Sequence, residues 1–159
     1  MALVILWMHV MAAVVWIGGM VFLSTVAVPV LKPRSSGLVQ ADLFLAMARR
    51  FRLIVWMAIA TLLTTGPVLL FLRGLSLLEP AQWPGVLSLK LSLVALLLIL
   101  TGAHDLLIGP RVARIAKLPA ERRGWTERGL VMASPWLARL SLLLAVAIVG
   151  VAVSLSRTP

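Results

Sequence analysis

A chain of 159 residues that is 62% hydrophobic and 13% charged, with a mean hydropathy of +1.08, lies outside the range of soluble globular domains and reads as an integral membrane protein in contact with the lipid bilayer. Its net charge of +10 does not mark a nucleic-acid binder, because the basic residues gather in two short segments between apolar runs without interleaved aromatics, as the positive-inside rule requires. The absence of cysteine excludes disulfides, thiolate metal sites and CxxC redox chemistry, leaving His, Met, Lys and carboxylates as metal ligands.

Four apolar stretches are long enough to cross a bilayer as helices, which takes about twenty residues each. The expected fold is therefore all-α, a four-helix transmembrane bundle forming one integral domain over residues 1–159. Helix 1 is expected over about Ala2 to Leu31, halted by Lys32-Pro33. A cleaved signal peptide is a poorer reading, because no basic residues follow Met1 and the apolar run outlasts the usual signal core. Helix 2 is expected over about Leu53 to Leu72, with a cytosolic extension from near Gln40, where QADLFLAMARRFR alternates apolar and charged faces at helical spacing. Helix 3 is expected over about Val86 to Ile108, ended by Gly109-Pro110. Helix 4 is expected over about Pro135 to Leu155, and Thr126 could cap an earlier interfacial start.

Orientation follows from Lys and Arg in the connections. The first loop and its flanks hold Lys32, Arg34, Arg49, Arg50 and Arg52; the third holds Arg111, Arg114, Lys117, Arg122, Arg123 and Arg128. The second, GLSLLEPAQWPG, holds none and is bordered only by Arg73. Loops one and three are expected in the cytoplasm and both termini outside, in the cytoplasmic (inner) membrane of a bacterial-type cell, with Trp83 and Trp125 as interfacial anchors on opposite sides.

Depth then sorts the polar residues. His9 stands alone as a strongly titratable side chain in helix 1, and hydrocarbon offers its two ring nitrogens no partner. At 1.5 Å rise per residue it sits about 10 Å below the outer surface, with Lys90 at a similar depth and His104 about 21 Å deeper than Lys90. His9 and Lys90 are thus the outer pair. The His9 face continues through Ala12, Ala13, Trp16, Gly19 and Met20. Helix 2 brings Thr64-Thr65-Gly66-Pro67 to that depth, and helix 4 brings Ala147 and Gly150. Small residues there either leave room for a flat ligand or permit close helix packing. Met8, Met11 and Met20 offer thioethers suited to Cu(I), or simply pack. Deeper, Asp105 and Arg139 share a level and are expected to pair, with His104 as a hydrogen-bond partner; a second metal or proton-relay site is the alternative.

WMHVMAAVVWIGGMVFLSTVAVPVL in helix 1, ARRFRLIVWMAIATLLTTG in helix 2 and LKLSLVALLLILTGAHDLLIGPR in helix 3 resemble the copper-resistance D (CopD) type of membrane domain. They are also similar to the four-helix, haem b binding protoporphyrinogen oxidases of the HemJ type, although this chain has no tyrosine where that family's signature does. The resemblance runs from about Leu6 to Arg111, weakens in helix 4, and is most specific in the H-x6-W-x-GG spacing from His9 to Gly19 and in the lysine opening helix 3. It implies haem b or copper as the cofactor, with His9 and Lys90 as the residues associated with haem and activity. Trp16, two turns below, and Gly66, at the same level, are the further candidate cofactor-binding residues, and His9, Met8 and Met11 are the candidate metal ligands.

Two functional classes follow. One is a module of membrane redox chemistry or copper handling with a haem b or copper site in the outer half of the bundle, HemJ-like oxidation included. The other is a non-catalytic accessory or assembly subunit, with other membrane subunits or a second copy of the chain as partners. No HExxH, P-loop, nucleophile elbow or paired-carboxylate pattern points to an ordinary enzyme.

Overall fold

The computed structural model describes residues 1–31, 38–115 and 124–157, and among them the protein is helical with no strand. Four helices are long and apolar enough to cross a membrane, and only 11% to 22% of each span is buried. The apolar surface that remains is consistent with spans in contact with the lipid bilayer. The chain divides into two compact units, Met1–Pro84 and Gly85–Pro159.

In the first unit, α1 (Ala2–Phe22) runs through a π-helical stretch, Leu23–Ala27, into α2 (Val28–Leu31). It packs against α3 (Leu38–Phe71), which takes the expected extension and span as one helix. His9 meets Thr65 at one end of the seam and Gly19 meets Phe51 at the other, so the two helices are antiparallel. Between these contacts the buried residues are Ala12 and Trp16 on α1 and Val55, Ala58 and Ile59 on α3, three or four residues apart along the facing stripe. This alternation of three and four residues is the pattern of left-handed helix pairs. A turn in which the Gly74 N–H bonds Phe71 O at 2.9 Å and the Leu75 N–H bonds Leu70 O at 3.1 Å ends α3. Gly74 is left-handed there (φ 73°), which only glycine adopts cheaply.

The second unit starts with α4 (Gly85–Gly102), passes through a π-helical stretch, Ala103–Ile108, and continues as α5 (Gly109–Ile115) before α6 (Trp125–Arg157) returns along all three. Leu97, Ser141 and Ala145 are buried in it.

Two expected boundaries are corrected. Gly109-Pro110 does not end the third span. The Gly109 N–H reaches back five residues to His104 O, and glycine has no Cβ to meet the proline ring, so the helix widens by one residue and carries on. The same π stretch precedes Pro29, where the hydroxyls of Ser24 and Thr25 both bond Val21 O, at 3.0 and 2.7 Å. Nor does Thr126 cap the last helix. Gly124 does, with the Glu127 carboxylate accepting its N–H at 2.9 Å and the Arg128 N–H bonding its carbonyl at 3.1 Å, the reciprocal arm of a capping box.

Candidate functional site

His9 is half-buried on the α3-facing stripe of α1, and its Nδ1 lies 2.8 Å from Thr65 Oγ1. Thr65 belongs to TLLTTGP, a segment in which Pro67 cannot donate to the carbonyl one turn back and every threonine hydroxyl bonds an earlier carbonyl. Thr61 donates to Met57 O at 3.0 Å, Thr64 to Ala60 O at 3.0 Å, and Thr65 to Thr61 O at 2.6 Å. Thr65 therefore has no proton left for the imidazole. His9 must donate from Nδ1, and in the neutral ring Nε2 then carries the lone pair. A fixed tautomer with one nitrogen anchored is the arrangement in which histidine serves as a metal ligand.

The other expected residues are placed as follows. A Cβ on Gly66 would stand 3.6 Å from His9 Cε1, so this glycine lets the imidazole lie close to α3. Trp16 is two turns below, 4% exposed, and its indole N–H is buried without a hydrogen-bond partner among the described residues. Met8 and Met11 share a turn with His9 and are half exposed. Lys90 belongs to the second unit, half-buried near the start of α4 and seven residues before the buried Leu97.

The small residues do not leave a slot between α1 and α3. The Phe51 ring occupies the space at Gly19 and the His9 imidazole that at Gly66. At these two glycines the seam leaves no room for a flat macrocycle such as haem b. Among the described residues no three His, Asp or Glu side chains gather as a metal-binding group.

In the second unit, His104 Nε2 is 3.3 Å from Ser134 Oγ on α6, and its Nδ1 is 3.7 Å from the Asp105 carboxylate. The expected Asp105 to Arg139 pair is replaced. The Arg139 guanidinium lies 5.1 Å over the Trp136 ring, three residues earlier on its own helix. Sequence reasoning missed Ser134 as the partner of His104 and Thr65 as the group that fixes the His9 tautomer, although the run of threonines before Gly-Pro was there to suggest the latter.

No curated protein and no solved structure matches the chain. A family model described as Copper resistance protein D matches residues 45–155. The resemblance read from the first three helices is thus displaced along the chain: the match leaves out α1 and takes in nearly all of α6. Covering more than half of the sequence, it shows that the chain belongs to the copper resistance protein D family.

Proposed function

We propose that this membrane protein handles copper ions as cargo, and that His9 is the imidazole through which the first helix meets the ion, in the outer half of the bilayer. The observation that carries this reading is the chain His9 Nδ1 to Thr65 Oγ1 to Thr61 O, which leaves the lone pair on Nε2. Family membership supports copper as the ion. Cu(I) takes imidazole and thioether donors, so Met8 and Met11, accessible on the same turn, are the soft donors within one helix. The distribution of Lys and Arg supports termini facing outward and arginine-rich connections in the cytoplasm of a bacterial-type cell.

The test is to purify the protein in detergent, present Cu(I) under reducing conditions, and measure bound metal together with the visible spectrum. Retained copper without a Soret band is the expected result. A Soret band would restore haem b, and absence of both would favour an accessory subunit whose polar groups only satisfy one another. Cysteines placed at Ser36 and Gly124 test the orientation; labelling of either from outside by an impermeant reagent would reverse it.

A further inference from the structure

Beside the end of the third span, α5 and the start of α6 border an open cleft of about 560 Å³. Its polar lining comes from Arg111 and Arg114, one turn apart on α5, and from Thr126 and Glu127 in the first turn of α6; Ile115 and Leu130 supply its apolar wall. Neither guanidinium has an ion-pair partner among the described residues. Among the described residues of the lining the one carboxylate, Glu127, accepts the Gly124 N–H.

The level of the cleft in the bilayer decides what it meets. The apolar part of the third span runs to Val112 and that of the fourth starts at Trp125. Arg111 and Arg114 therefore straddle the boundary where hydrocarbon gives way to headgroups. Trp125, 92% exposed beside the cleft, is the residue type that settles at that boundary. Two arginines one turn apart can donate several N–H groups to phosphate oxygens, and Thr126 adds a hydroxyl. Ile115 and Leu130 suit the glycerol and first methylenes of a lipid better than they suit water.

We infer that this cleft binds the phosphate of an anionic phospholipid headgroup. The site is independent of the copper reading, since it uses none of the same residues and lies wholly within the second unit. The shared chemistry is a phosphate monoanion, and the source is the bilayer, because the cleft opens where lipid phosphates are the concentrated anion.

Native mass spectrometry of protein extracted from vesicles with equal amounts of phosphatidylglycerol and phosphatidylcholine tests it. The wild type should retain phosphatidylglycerol in preference. The R111Q/R114Q variant should lose that retention by roughly tenfold or more, given the worth of basic residues at an anionic surface. R73Q, which removes one positive charge from the first unit, should leave it unchanged. Both arginines of the pair are exposed, so neither replacement opens a cavity. E127Q keeps a side-chain oxygen for the Gly124 N–H while removing the opposing charge, and should raise retention. Unchanged retention in R111Q/R114Q, or a fall in E127Q, would overturn the site. Displacement of the lipid by inorganic phosphate at constant ionic strength would assign the cleft to a soluble phosphate and overturn the lipid source.

Discussion

Each helical unit holds one histidine, and in each the imidazole meets a hydroxyl on the facing helix; the difference lies behind that hydroxyl. Thr65 has already given its proton to the Thr61 carbonyl, so His9 must donate and keeps its lone pair on Nε2. Ser134 is under no such constraint, and Asp105 stands at the second nitrogen of His104, which thus has a protein group at each side of its ring. The two settings let one residue type play two parts, the ligand proposed at His9 and a structural crosslink at His104. A histidine in a membrane span is informative about function only after its tautomer has been traced.

The sharpest way to break this contrast is to remove each imidazole in turn. H9A should abolish copper retention in the purified protein, while H104A should leave the stoichiometry intact. The opposite pattern would exchange the two roles and move the metal to the inner half of the bilayer.

A smaller effect isolates the tautomer. Thr65→Val keeps the volume of the side chain but takes away the acceptor, freeing the ring to turn or to exchange its proton. Copper affinity should fall about 10- to 100-fold, as for other groups that orient a ligating histidine. Thr65→Ser keeps the acceptor and should stay near the wild type. Equal affinity in Thr65→Val, measured by competition with a Cu(I) chelator, would show that the hydrogen bond does not prepare the ligand.

The two faces of α1 offer a comparison in stability. Gly19 lies under the Phe51 ring, whereas a side chain at Gly18 would meet nothing within 4 Å. Gly19→Leu should therefore destabilise the first unit by about 1–3 kcal/mol through overpacking, and Gly18→Leu should be close to neutral. Phe51→Ala, by vacating the space, should recover part of the Gly19→Leu loss. Thermal unfolding in detergent measures all three; equal effects at Gly18 and Gly19 would place the helix seam elsewhere.

Much of this architecture was legible because composition identifies the solvent and the rise of a helix converts sequence distance into depth. That reasoning brought Thr64-Thr65-Gly66 to the level of His9, where the structure has them. It did not reveal what fills a small residue's space, since Phe51 over Gly19 depends on the rotation of α3 about its axis. Gly109-Pro110 misled for a related reason. Proline signals a helix end, but a π turn can absorb it, and nothing in the residue pattern states that the His104 carbonyl will accept from five residues onward. Depth alone paired Asp105 with Arg139, and the angle around the helix undid that pairing.

Arg139 supplies the smallest effect. Its guanidinium rests over Trp136, which is 68% exposed, so the contact should contribute only about 0.5–1 kcal/mol. Arg139→Gln should lower stability by no more than that, because no buried carboxylate is left without its counter-charge. Asp105→Asn acts on a different partner, His104, and the double replacement should cost the sum of the two single changes. A buried Asp105 to Arg139 pair would behave otherwise: each single change would strand a charge and cost about 3–5 kcal/mol, and the double neutral variant would recover much of it. Thermal melts of the two single variants and the double therefore decide between an aromatic and an acidic partner for Arg139; recovery in the double variant would reject the stacking geometry.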